Sequence, residues 1–290
     1  MTALMTTLFR AVRHNGKAAV GLLILLFFVV LAAVPDLIAP GDPARITDSV
    51  SEGVSGSHPL GTTAFGQDIL VQVVHGARPA LLIAVVSGLL ATVLSVLIGV
   101  SAAYLGGIWD DILNLFTDVV LVIPTLPLVV VIAGYFSHHS ITVMVAALVL
   151  TGWSYGARQL RSQALSLRNR DFLESARVRG ERRSYVIVFE LLPNMTSLIV
   201  ANFLGAALFA ILTASGLEFL GLGDINTYDW GTMLYWAQNQ SALQTGSYIW
   251  AAVPGLCIAL LGASFALLNN AFDEISNPAL RPVRRLRAAA

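Results

Sequence analysis

The residues able to do chemistry are few, and their types exclude more than they offer. Cys257 is the sole cysteine, so neither an intrachain disulfide nor a cysteine-based metal cluster is available. The five histidines are dispersed apart from His138-His139, and none falls in a His-Glu-x-x-His pattern. Lys17 is the only lysine and stands in Asn15-Gly16-Lys17-Ala18, so the chain has no Gly-x-x-x-x-Gly-Lys-Ser/Thr phosphate loop. Any ATP used with this protein must be bound by another chain. No catalytic residue, cofactor or metal is expected in this one. What remains is a cationic stretch holding Arg158, Arg161, Arg168, Arg170, Arg177, Arg179, Arg182 and Arg183, threaded with Glu174 and Gly180 and followed by Leu192-Pro193. Such a stretch can seat a protein partner, touch anionic lipid, or simply fix topology.

The rest of the sequence says what must hold that stretch. Of 290 residues, 56% are hydrophobic and 12% charged, about half the charged share of an ordinary soluble domain, roughly 25%. So few charges cannot cover a water-soluble globule of this size, which excludes a typical soluble enzyme and a disordered tail protein.

Six apolar runs follow. The first, residues 18–34, carries no charge and as a helix reaches about 26 Å, close to the roughly 30 Å hydrocarbon core of a bilayer. Arg10, Arg13 and Lys17 precede it as they would in a signal peptide, but it exits through Pro35-Asp36-Leu37-Ile38-Ala39-Pro40 with no Ala-x-Ala-like site; it reads as an uncleaved span. The others are 79–105, 112–135, 141–155, 195–213 and 248–268. Backbone hydrogen bonding in lipid requires each to be helical. The expected fold class is therefore all-α, a polytopic membrane protein with six transmembrane helices.

With a cytoplasmic N-terminus, six crossings return the C-terminus to the same side. The inner segments then hold fifteen of the 17 positive residues, including Arg281, Arg284, Arg285 and Arg287, and only Arg45 and Arg78 fall outside. That is a strong positive-inside bias. External segments are acidic, with Asp36, Asp42, Asp48, Glu52, Asp68, Glu218, Asp224 and Asp229. No nucleic-acid partner is expected.

A carrier driven by an ion gradient places ionisable groups at membrane depth. Here Asp118 alone is charged within a run, near its cytoplasmic end, where an interfacial or capping role is expected ahead of a coupling one. Pro124 and Pro127 break the ladder of the same run; a kink is expected, with a hinge or pathway-lining bend as the alternative. Small residues recur at four-residue spacing in Gly99/Ala103, Ala201/Gly205, Gly255/Ala259 and Gly262/Ala266, which lets helices approach closely in lipid.

The segment 158–192 is too long for a simple connector. Arg170/Glu174 and Arg177/Glu181 are opposite charges at i, i+4, predicting a short exposed helix carrying those pairs. Gly180 can end it in a left-handed turn, and Pro193 suits the first turn of the fifth span.

These residues resemble a known pattern. Glu174-Ser175-Ala176, Gly180 six residues after Glu174, and Leu192-Pro193 resemble the Glu-Ala-Ala…Gly…Leu-Pro loop of bacterial ABC-importer permeases. The surroundings narrow the resemblance to the oligopeptide/dipeptide permease family, C-type subunit. They are His58-Pro59-Leu60-Gly61-Thr62, Gly66-Gln67-Asp68, Gly76-Ala77-Arg78, Phe219-Leu220-Gly221-Leu222-Gly223, Trp230-Gly231-Thr232-Met233-Leu234 and Asn277-Pro278-Ala279-Leu280-Arg281. Together they cover about residues 10–281. Ser175 replaces the usual first alanine, Gln67 stands where arginine is common, Glu190 where histidine is frequent, and Ala214-Ser215-Gly216-Leu217-Glu218 is less serine-rich than the family norm.

The resemblance implies a non-catalytic permease subunit of an ATP-driven peptide importer in a bacterial inner or plasma membrane. Residues 1–78 would form the N-terminal segment with the first span, 79–281 the permease core with its coupling loop at 158–192, and 282–290 a cytoplasmic tail. Residues 172–185 would be a coupling helix docked on one or two separate P-loop ATPase subunits, which would carry ATP and Mg. Its contact set would be Phe172, Leu173, Glu174, Ser175, Ala176, Arg177, Arg179, Gly180, Arg182, Arg183, Leu192 and Pro193. In it the charged residues would pair with the ATPase, Leu173 and Val178 would give apolar contact, and Gly180 the turn. A second homologous permease would complete a heterodimer, and an extracytoplasmic peptide-binding protein would meet residues 35–78 and 215–247. Nickel, glutathione or another solute is the alternative within the class; a secondary transporter and a membrane scaffold are the alternatives outside it.

Overall fold

A computed structural model describes residues 16–135 and 140–276. Five of its helical segments are long and apolar enough to cross a membrane, and a bent pair makes a sixth. Among the described residues there is no strand, only an isolated bridge between Thr62 and Asp68. The chain is an all-α, multi-pass membrane protein. Arg10, Arg13, His138-His139, Asn277–Arg281, Arg284, Arg285 and Arg287 lie outside the described residues.

Helix α1, Gly16–Ala33, ends at Val34 and gives way to a single turn at Pro35–Ile38. Helix α2 spans Ile69–Leu105, starting ten residues before the apolar run at 79. Asp68 sets that start, its carboxylate accepting the Val71 N–H at 3.1 Å, so a capped first turn precedes the apolar run. Pro79 sits inside α2 without ending it. Near its far end α2 widens into a π-helical turn, Val96–Val100. There a side chain on Gly99 would strike the Ala157 carbonyl, so glycine is what lets the next long helix lie against this backbone. Buried Ser95 bridges the same contact, donating to the Trp153 carbonyl at 2.6 Å.

The third run is two helices, α3 at Gly107–Val122 and α4 at Thr125–Tyr135, bent by 84°. Ile123 is extended, with φ −71° and ψ 125°, the conformation forced on a residue before proline. The kink expected at Pro124 is thus a full break.

Helix α5, Ile141–Leu167, runs well past the predicted end at 155. Charged residues do not stop a helix leaving the membrane, and two of its arginines tie it to α3. Arg161 grips Asp110 through two bonds of 2.7 and 2.8 Å, and Arg158 pairs with Asp118. Helix α6 is Asp171–Val178. Helix α7, Arg183–Phe219, is continuous for 37 residues, twelve residues ahead of the expected start at 195. It passes through a π segment, Val186–Leu191, and a tight turn, Leu192–Met195. Pro193 therefore opens that turn inside a longer helix and does not begin the span. Helices α8, Trp230–Asn239, and α9, Tyr248–Ser276, complete the order.

α7 sits centrally against α2, α9 and α5, while α1 packs on α9 and α2. The main core joins α1, α2, α7, α8 and α9 around Phe28, Trp230, Trp250 and Phe265; the Phe28 and Trp230 rings meet edge-on at 5.2 Å. A separate small core lies under α6. Leu23, Leu115 and Val122 are among many exposed apolar residues, a surface suited to lipid rather than water.

Candidate functional site

Helix α6 is anchored by one face and free on the other. Leu173 and Ala176 are both 0% exposed. They sit in a cluster with Val100, Ala103 and Tyr104 of α2, Leu160 and Ala164 of α5, and Val186, Leu191 and Met195 of α7. This corrects the expectation that Leu173 offers apolar contact to a partner; its side chain is spent inside its own chain. Phe172 packs partly on the same cluster. Glu174, Ser175, Arg177, Arg179, Arg182 and Arg183 are exposed, and Val178 is 86% exposed.

The helix ends as its sequence dictates. Gly180 has φ +74°; its N–H bonds the Arg177 carbonyl at 2.9 Å, and the Glu181 N–H bonds the Ala176 carbonyl at 3.2 Å. These paired bonds around a left-handed residue satisfy the last carbonyls of the helix. Residues 172–185 are consequently not one helix. α6 covers their first half, and the chain turns before α7 resumes at Arg183.

The predicted i, i+4 ion pairs do not form. Arg170 is the N-cap of α6, and Glu181 lies beyond its C-cap, Arg179, so neither pair shares a helix face. Arg177 instead lies over the Tyr104 ring at 5.4 Å and donates to the Arg168 carbonyl at 3.1 Å. Arg179 reaches Glu190 of α7 at 3.4 Å. Arg168 in turn donates to the Ala103 carbonyl at 3.3 Å. Glu174, Arg182 and Arg183 make no ion pair among the described residues. Leu192 is half-buried on the small core and Pro193 is exposed. The structure thus gathers the sequence-selected residues at one end of the bundle but divides them into an inner, positioning set and an outer, presenting set. Tyr104 was not singled out by the sequence; it lies far away in the chain, and no local pattern marks it.

The opposite end is closed on itself. Thr62 and Thr63 are buried in the 40–68 segment, where Thr62 donates to the Ser49 carbonyl at 2.5 Å. His58 meets the Asp68 carboxylate at 2.8 Å. The neighbouring Ser49 and Ser55 hydroxyls lower the Glu52 carboxyl from its ordinary value. Asp229 caps α8, accepting the Thr232 N–H at 2.8 Å, while the Thr232 hydroxyl answers the Asp229 N–H. Trp230 is buried and donates to the Val73 carbonyl at 2.9 Å, and Gly76 gives its ring room. These glycines, aspartates and the tryptophan are framework. Between the ends a cavity of about 560 Å³ opens among α3, α5, α7 and α9.

The family model described as binding-protein-dependent transport system inner membrane component matches residues 95–282. The oligopeptide transport system permease protein OppC of Mycobacterium tuberculosis is 28% identical over 283 residues, 95% of this chain and 94% of its own. The dipeptide transport system permease protein DppC of Bacillus subtilis is 29% identical, covering 94% of this chain and 85% of its own. The di/tripeptide transport system permease protein DppC of Pseudomonas aeruginosa is 30% identical, covering 92% and 90%.

Proposed function

The chain belongs to the family of binding-protein-dependent transport system inner membrane components, and from that premise we propose that it is a permease subunit of an ATP-driven importer of oligopeptides or dipeptides. The observation that carries the reading is α6 with the turn after it, fixed through Leu173 and Ala176 yet presenting to solvent Glu174 and Val178 from the helix and Arg179, Arg182 and Arg183 from the turn into α7. A surface helix that fully buries only two residues, while offering charge and an exposed valine, is built to be held by something else.

The arginine-rich end faces the cytoplasm, as the positive-inside bias supports, with both termini on that side. There α6 docks on one or two separate P-loop ATPase subunits, which bind ATP and Mg; the chain itself catalyses no reaction. A second homologous permease pairs with this one to complete the path through the membrane, within a bacterial inner or plasma membrane. An extracytoplasmic binding protein delivers peptide to the acidic end. Residues 79–281 act as the permease core, flanked by 1–78 and the 282–290 tail.

The small core explains how a push on α6 is transmitted. Its residues come from α2, α5 and α7 at once, so a displacement of α6 reaches three spanning helices as a packed unit. ATP binding and hydrolysis in the partners then bias the bundle between outward-open and inward-open arrangements. Affinity purification in mild detergent tests the reading: a sister permease and P-loop ATPases should co-elute, with ATP hydrolysis stimulated by peptide-loaded binding protein. A lone protein that moves solute without ATP contradicts it.

A further inference from the structure

The cavity between α3, α5, α7 and α9 has a chemical character of its own. Its volume, about 560 Å³, falls within the roughly 300–1,000 Å³ of small-molecule sites. Among the described residues, no lysine, arginine, aspartate, glutamate or histidine lines it. The nearest charges along the chain, Asp118 and Arg158, are paired with each other. Its polar wall includes three carboxamides, Gln159 on α5, Asn202 on α7 and Asn269 on α9.

Those amides are available. Gln159 and Asn269 make no hydrogen bond among the described residues, and Asn202 is engaged only through its Oδ1, which accepts from Thr92 at 3.3 Å. Gly156 creates the space for Asn202, since a side chain there would strike its amide. Acceptors come from the break between α3 and α4, where Val120, Leu121 and Thr125 line the wall. Pro124 has no N–H to return to the Val120 carbonyl. Irregular backbone at membrane depth is tolerated where it faces a cavity.

Resting on the peptide-import reading, we propose that this cavity is the chain's solute-binding surface. It engages peptide groups through neutral amide donors and freed backbone carbonyls, and is indifferent to side-chain charge. A peptide bond presents one donor and one acceptor whatever residue follows it. A wall of amides and carbonyls complements that repeating unit, and with no ionic group among the described lining residues cationic and anionic peptides stand on equal terms.

The test is charge placement at Gln159, which is exposed. The full transporter, reconstituted in vesicles, is given binding protein preloaded with Ala-Lys-Ala or Ala-Glu-Ala, and uptake is counted per loaded binding protein. Wild type should carry both at similar rates. Gln159→Glu should raise the lysine-to-glutamate uptake ratio roughly tenfold and Gln159→Lys should lower it roughly tenfold, each equivalent to about 1.4 kcal/mol. A ratio unchanged from wild type in either variant overturns the proposal. Should both variants carry nothing, a cysteine replacing Gln159, with Cys257→Ser, supplies a second measurement. Peptide turnover should slow its maleimide labelling severalfold, and unprotected labelling overturns the proposal. If wild type moves neither peptide, the peptide-import reading itself falls, an outcome separate from loss of charge indifference.

Discussion

The two ends of the bundle are built by opposite rules. At the acidic end, several polar side chains are turned inward and tied to the chain's own groups, His58 to Asp68, Asp229 to the Thr232 N–H and Trp230 to the Val73 carbonyl, while Asp36, Asp42 and Asp48 stay exposed. At the arginine-rich end, α6 buries only Leu173 and Ala176 and leaves most of its charge to solvent. One end is braced by bonds within the chain. The other is stable but unfinished, and the difference separates residues that hold the fold from residues kept for a partner.

Substitutions that sort by end would sharpen this contrast, and those that ignore it would break it. Trp230→Ala should have the largest effect, about 3–5 kcal/mol, because a fully buried indole and its hydrogen bond are lost together; a large drop in thermal stability of the detergent-solubilised protein checks it. Leu173→Ala should cost about 2–5 kcal/mol. Unlike Trp230→Ala it should also loosen α6 locally, read as faster proteolysis at the nearby arginines.

Asp229→Ala removes a helix cap and should cost about 0.5–2 kcal/mol, measured in the same melting assay. Gly180→Asp meets no neighbouring atom, so its cost is the left-handed backbone alone, roughly 1–2 kcal/mol. Expression should survive while peptide uptake is lost, because the turn sets the presented face. Normal uptake at normal expression would remove α6 from the coupling path.

How far the sequence reaches also differs between regions. The spans were legible because lipid permits so few backbone solutions, and Gly180 was legible because a left-handed helix end favours glycine. The length of α5 was not, since Arg158 and Arg161 look like loop residues until Asp118 and Asp110 on α3 are seen beside them. Nor was the fate of Arg177: the i, i+4 rule assumes one helix, and the helix stops at Val178. The inward aim of Leu173 depends on contacts with α2, α5 and α7, which no local pattern encodes. At the acidic end the family-like glycines were visible as a pattern, but their reason appears only in space, where Gly76 makes room for Trp230.

Val178 offers the most direct test of the division. It is apolar, 86% exposed, and borders the turn at Gly180. Val178→Asp should leave thermal stability within about 0.5 kcal/mol of wild type, as for other surface changes. If the outer face of α6 is the docking surface, a carboxylate there should reduce co-purification of the ATPase subunits about tenfold or more. An ATPase yield equal to wild type would contradict the account, leaving the arginine-rich end as topology alone.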